Sequence, residues 1–206
     1  MLDKISNLFS SLIQVFTLEV CLECQKESKS LICTSCIQKI KRTHNQPQEP
    51  ISYGAYEGVL KNLIHLFKYE NKFGLAKPLA DLLIDLVPKD IDCIIPVPLH
   101  FEKLQERKYN QSALLAKELS QKLRLPLFLN VLKKKIKTPS QTDLSKTQRE
   151  KNILGVFSVE NENKIYAKNI LLIDDVYTTG ATVQECQKVL LSHRAQKVFV
   201  LTLAKS

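Results

Sequence analysis

Two adjacent carboxylates, Asp174 and Asp175, end the apolar run Ile170 to Ile173 and are followed by Val176-Tyr177-Thr178-Thr179-Gly180-Ala181-Thr182. Ionised carboxylates accept hydrogen bonds and cannot donate them, so such a pair suits two neighbouring hydroxyls, as in a ribose diol. Thr178, Thr179 and Thr182 supply hydroxyl donors, Gly180 lets the chain turn tightly, and the amides of a helix start attract a phosphate. These are the parts of a sugar-phosphate site. A surface acid pair capping a helix, with threonines that suit a turn, is the plainer alternative. The coincidence of apolar strand, acid pair, two-residue spacer, Thr-Thr-Gly-x-Thr and amphipathic helix favours the functional one.

A second set of reactive side chains is Cys21, Cys24, Cys33 and Cys36, spaced C-x2-C-x8-C-x2-C. Two such knuckles can set four thiolates tetrahedrally around one zinc ion. Disulfides, which belong to oxidising compartments, and redox use are the alternatives. A four-thiolate site leaves no position for water, so its metal would be structural and would fold a segment too short to build its own core. Cys93 and Cys186 fall on apolar patterns and read as core residues.

A third set leaves the apolar run 91–97. It comprises Pro96-Val97-Pro98-Leu99-His100 and then Arg107-Lys108-Tyr109-Asn110-Gln111, just before a helical pattern. The prolines fix an unusual turn, for which a cis bond is one solution. Arg107 and Lys108 can neutralise a pyrophosphate. Taken alone, these residues also fit a proline-rich strand exit with solvated charges and a hydrogen-bonded His100. The run Lys133-Lys134-Lys135-Ile136-Lys137 reads as a solvated basic face. Beyond it the stretch to Asn152, with Gln141 and Arg149, is polar and without clear periodicity. A loop of that length is commonly a lid, here one that would keep water from a reactive sugar cation.

Strand-like runs at 91–97, 127–131, 169–173 and 197–203 must position these groups. They alternate with helical patterns at Leu60, Leu63, Ile64 and Phe67, then Leu75, Leu79, Leu82, Leu83 and Leu86, then Leu114, Leu115, Leu119 and Leu123. That alternation predicts an α/β fold with a parallel sheet, whose ligands bind beyond the carboxyl ends of its strands. Residues 1–18 read as a short amphipathic helix, 19–40 as the cysteine module and the polar stretch 43–50 as a linker. Two domains are therefore expected, 1–45 and 50–206.

An apolar share of 44% in 206 residues is enough for a core. A formal charge of +9 suits a polyanionic partner, nucleic acid or a pyrophosphate-bearing substrate. No apolar run is long enough to cross a membrane. The stripe Leu2, Ile5, Phe9, Leu12, Ile13, Phe16 is interrupted by Asn7, Ser10, Ser11 and Gln14, unlike a signal-peptide core. A cytoplasmic protein is expected, with peripheral contact to the inner membrane as an extension. An aromatic share of 7% without Trp offers little for stacking single-stranded bases.

The segment 171–182 resembles the signature of type I phosphoribosyltransferases, which bind phosphoribosyl pyrophosphate. That resemblance implies that Asp174 and Asp175 hold the ribose hydroxyls and that Thr178 to Thr182 cradle the 5-phosphate. The cysteine knuckles, Lys68-Tyr69, Pro96 to His100, Arg107-x-x-Asn110-Gln111, Gln141-x-x-Leu144, Arg149-x-x-Asn152 and the 171–182 segment together resemble the competence protein F family, in that family's order. The resemblance implies a type I phosphoribosyltransferase-like sheet with an N-terminal zinc-ribbon module and Mg²⁺ accompanying the substrate. It further implies pyrophosphate contacts from Pro98, Leu99, His100, Arg107 and Lys108, and a lid carrying Gln141, Arg149 and Asn152. The role it implies is import of single-stranded DNA in natural transformation, alongside other DNA-uptake proteins. Lys108 departs from the family, which commonly has glycine there. Any turnover would be pentosyl transfer, with Arg107, Asp174 and Asp175 in catalytic roles and no covalent nucleophile. A nucleobase salvage enzyme and a non-catalytic sensor or single-strand carrier are the rival functions.

Overall fold

The computed structural model of the chain describes residues 19–45, 50–135 and 155–206. The expected helix at 1–18, residues 46–49 of the expected linker and the lid residues Gln141, Arg149 and Asn152 lie outside the described residues.

Two short antiparallel strands, β1 (Glu19–Val20) and β2 (Glu27–Ser28), and a one-turn helix α1 (Thr34–Gln38) frame the four cysteines, of which Cys36 lies in α1 and the others in the connecting turns. Then follow β3 (Ile51–Ala55), α2 (Gly58–Tyr69), α3 (Ala76–Asp81), β4 (Cys93–Pro96), α4 (Phe101–Arg107) and α5 (Gln111–Leu123). A small antiparallel pair, β5 (Leu132–Lys134) with β6 (Phe157–Val159), precedes β7 (Asn169–Tyr177), α6 (Ala181–Ser192) and β8 (Lys197–Lys205). The main sheet has the order β3-β8-β7-β4, and every pairing in it is parallel.

Strand periodicity sorts the core into two layers. Leu171, Ile173, Leu201 and Leu203 face one side, where they meet Leu60, Leu63 and Phe67 of α2 and Leu115 and Leu119 of α5. Ile170, Leu172, Val198 and Val200 face the other, against Val183, Cys186 and Leu190 of α6 and Phe157 of β6. Strands buried on both faces read as continuous apolar runs, which is why 169–173 and 197–203 were legible as strands.

The run 127–131 does not become a strand. It makes one parallel bridge, Leu127 beside Ile94, with Phe128 N–H donating to the Ile94 carbonyl and Ile94 N–H to Pro126. Pro126 has no N–H of its own, which shortens any ladder there. At the opposite edge, β3 escaped the sequence pattern because two of its buried positions are Ser52 and Gly54. Ser52 Oγ is satisfied by Thr202 Oγ1 at 2.7 Å. Gly54 lies against the chain leaving the cysteine module. A Cβ there would stand 2.8 Å from the Lys41 carbonyl oxygen.

Residues 43–45 are not a free tether. Ala55 N–H donates to the Lys41 carbonyl, Arg42 bridges Gly54 in antiparallel fashion, and Asn45 exchanges two hydrogen bonds with the Ser52 backbone. Cys21, Ile32, Cys36 and Ile40 belong to the same buried cluster as Leu60, Leu75 and Leu203. Among the described residues no helix is long and apolar enough to cross a membrane.

Candidate functional site

At the carboxyl end of the sheet, β7 runs through Asp174 and Asp175 before turning at Gly180 into α6. Gly180 has φ 81°, in the left-handed region that penalises a Cβ, and a Cβ there would meet the Tyr177 ring. The cleft beside this turn is lined by Asp174, Asp175, Val176, Thr178 to Val183, Val97, Pro98 and Leu99, with Gln111 and Ser112. Four cations complete its wall: Lys68 from α2, Lys103 and Arg107 from α4, and Lys134 from β5. Two carboxylates surrounded by four cations and a helix N-terminus describe a site for a ligand with several negative charges and a few hydroxyl donors.

The carboxylates are held in different ways. Asp175, 8% exposed, pairs through Oδ1 with Lys68 Nζ at 2.8 Å, and both side chains are largely buried. Burial pushes the Lys68 ammonium down, but the Asp175 charge and hydrogen bond outweigh that and leave it raised. Asp174 Oδ1 accepts from Ser112 Oγ and from the Asp175 N–H, each at 2.9 Å. Burial, and then the Asp175 charge, push the Asp174 carboxyl up to about 7, against the lowering effect of Lys68 and Ser112. Lys134 moves the opposite way, down to about 8, through burial and the neighbouring charge of Lys103.

The motif Arg107-x-x-Asn110-Gln111 has a mechanical explanation. Asn110 Oδ1 caps α5 by accepting from Ser112 N–H at 3.0 Å, while its Nδ2 donates to the Val97 carbonyl and so ties the helix to the exit of β4. Gln111 Nε2 donates to the Lys68 carbonyl at 3.3 Å, and its Oε1 accepts from Arg107. The Arg107 guanidinium lies 5.0 Å from the Tyr69 ring centroid and donates to its hydroxyl. Lys68 and Tyr69 thus serve the acid pair and the arginine respectively.

Several expected site residues sit elsewhere. His100 Nδ1 accepts from Glu102 N–H as the N-cap of α4 and is not among the lining residues. Lys108, also outside the lining, ends α4 with φ 66°. Tyr177 is outside this lining and borders a separate groove with Gln184, Gln187 and Val198. Among the described residues there is no cis peptide, so Pro96 and Pro98 turn the chain with trans bonds. The basic run is not wholly solvated, since Lys134 reaches the cleft from a strand. Lys103 and Ser112 carry no signal that the sequence reading uses, and Lys134 enters it only as part of the basic run. Lys103 could have been singled out, because it lies four residues before Arg107 and so on the same helix face.

In the cysteine module the Cys21 to Cys36 and Cys24 to Cys33 sulfur separations are 3.8 and 3.7 Å, and all four sulfurs lie within 4.8 Å of one another. Zinc–sulfur bonds of about 2.3 Å in a tetrahedron put sulfurs roughly 3.8 Å apart, so this donor set fits zinc. Burial pushes the Cys21 thiol up, but the backbone N–H groups of Cys24, Cys33 and Glu23 outweigh it and bring it to about 6. Cys93 and Cys186 are fully buried, and burial raises both thiols, Cys93 to about 11.

A family model for the phosphoribosyl transferase domain matches residues 110–206. The competence protein F of Haemophilus influenzae is 32% identical over 91% of this chain and 90% of its own length. The chain belongs to the competence protein F family. Another relative, the DNA utilization protein YhgH of Salmonella typhi, is 30% identical over 86% of this chain and 79% of its own. Among solved structures, the glutamine phosphoribosylpyrophosphate amidotransferase of B. subtilis complexed with ADP and GMP is 18% identical. That likeness covers 67% of this chain and 30% of the other, with a TM-score of 0.47. The architecture is phosphoribosyltransferase-like, a parallel sheet with flanking helices and an N-terminal cysteine cluster.

Proposed function

We propose that this protein binds phosphoribosyl pyrophosphate with Mg²⁺ in the cleft at the end of β7 and acts in the uptake of single-stranded DNA. The observation that carries the ligand assignment is the acid pair Asp174-Asp175 set between the Gly180 turn and the four cations of the cleft. In this assignment the two carboxylates accept from the ribose diol. The Thr178 to Thr182 loop and the start of α6 take the 5-phosphate, and Lys68, Lys103 and Arg107 face the pyrophosphate. Mg²⁺, brought in with the ligand, would supply neutralisation of the pyrophosphate charge beside Lys68, Lys103 and Arg107. Transfer would break the bond between C1 and the pyrophosphate oxygen, the electron pair leaving with pyrophosphate, while an acceptor lone pair forms the new bond. The chain contributes positioning and charge stabilisation to that step. The role in DNA uptake is supported by relatives named for competence and DNA utilization. A structural zinc ion in the cysteine module is part of the same proposal, supported by the sulfur geometry.

Asp175→Asn tests the assignment, because asparagine can still accept from Lys68 but no longer offers a charged acceptor to the sugar. Losing a charge-assisted contact costs about 1–3 kcal/mol, so affinity for phosphoribosyl pyrophosphate with Mg²⁺ should fall roughly tenfold or more by calorimetry. Unchanged affinity in a folded variant removes the phosphoribosyl assignment. Measuring pyrophosphate release with candidate acceptors, nucleobases among them, then separates an enzyme from a sensor.

A further inference from the structure

Each carboxylate of the acid pair is engaged by the protein through one oxygen only. Asp174 Oδ1 accepts from Ser112 and from the Asp175 amide, and Asp175 Oδ1 is paired with Lys68. Among the described residues no hydrogen bond or ion pair uses Oδ2 of either side chain. Ser112 is 4% exposed and stands just inside the start of α5, whose capping residue Asn110 is itself fastened to the exit of β4. Lys68 lies in the last turn of α2. The two fastening groups therefore come from separate helices, each packed into the core, and each holds its carboxylate at Oδ1.

We propose that Ser112 and Lys68 are positioning residues that hold Asp174 and Asp175 by Oδ1 and so present the two Oδ2 atoms as a preset acceptor pair for a vicinal diol. This rests on the phosphoribosyl reading for the identity of the diol, but the fastening itself is a property of the ligand-free chain. A carboxylate that must accept from a hydroxyl works best ionised. Hydrogen bonding to the charged form lowers a carboxyl's pKa, and the Ser112 hydroxyl and the Lys68 charge both act on Asp174 in that direction. The other groups facing Asp174 are Asp175 beside it, Lys134 from β5 and Cys186 from α6. Lys134 also titrates at about 8, so raw affinity declines on the alkaline side whatever Ser112 does. The ratio of variant to wild-type affinity at each pH cancels that contribution.

The test is Ser112→Ala, with the Asp174 carboxyl followed by carbon NMR in the ligand-free protein and phosphoribosyl pyrophosphate affinity measured with Mg²⁺ by calorimetry from pH 6 to 9. Losing one hydrogen bond to an ionised group shifts a pKa by about one unit. The Asp174 midpoint should then move from about 7 to roughly 8. At pH 7 the ionised fraction would drop about fivefold, and affinity with it, while near pH 9 variant and wild type converge. Lys68→Met should raise the same midpoint and serves if Ser112→Ala does not fold. An Asp174 midpoint that stays put in both variants overturns the inference, as does an affinity loss of equal size at every pH, which would mark a merely structural role. Failure of the wild type to bind phosphoribosyl pyrophosphate at any pH defeats the functional reading and the diol with it, a result the ligand-free titration distinguishes from failure of the fastening.

Discussion

Asp174 shows the cost at which a ready acceptor is kept in a ligand-free cleft. Its carboxyl is raised from an ordinary 3.8 to about 7 because burial and the Asp175 charge both disfavour the ionised form. A carboxyl that holds its proton more tightly folded than unfolded makes the folded state progressively less stable as pH rises from about 4 through about 7. Asp174→Asn removes that charge and keeps an oxygen for Ser112. The variant should therefore melt higher than wild type at pH 8 and close to it at pH 4.5, while losing ligand affinity. Equal melting shifts at both pH values would contradict the assignment. The acid pair was legible in the sequence because two carboxylates close an apolar run directly before a Thr/Gly turn. Lys68 and Lys134 were visible only as part of a motif and of a basic run, since their place in the cleft arises only when α2, β5 and β7 come together.

Between residue and molecule, the left-handed end of α4 gives a second test. Lys108 adopts φ 66°, a region costing an L-residue roughly 1–2 kcal/mol, and its side chain is exposed and outside the cleft lining. Lys108→Gly should accordingly raise chemical-denaturation stability by about 1 kcal/mol, a gain reduced by the extra freedom of glycine in the unfolded chain. Ligand affinity should stay near wild type, and a clear loss would return Lys108 to the pyrophosphate contacts. Helices α2 and α5 were readable from their leucine spacing, and β7 and β8 from their apolar runs. The strand β3 was not, because Ser52 and Gly54 are buried for reasons supplied by Thr202 and by the chain at Lys41. Pro96 and Pro98 suggested an unusual turn, and the chain makes it with trans bonds held by Asn110.

For the molecule as a whole, the cysteine module and the sheet share one core. Cys21, Ile32, Cys36 and Ile40 pack in the cluster that holds Leu60, Leu75 and Leu203, so metal binding at the cysteines would stabilise more than the residues between them. Removing zinc with a chelator, or Cys36→Ser, should lower a single calorimetric transition of the entire chain. A sheet transition that keeps its wild-type midpoint after metal loss, or the absence of bound metal in reduced protein, would refute this. The spacing of the cysteines announced the cluster, but its attachment depends on Gly54 admitting the Lys41 carbonyl, which no motif encodes. That attachment bears on solubility too. The stretch from Lys41 to Asn45 lies along β3, the outermost strand of the sheet, and occupies backbone groups that would otherwise invite another chain to pair. The cysteine module is thereby the anchor of the sheet's edge guard: whatever loosens the module also uncovers β3, so the same change that weakens the shared core opens the sheet's edge to other chains.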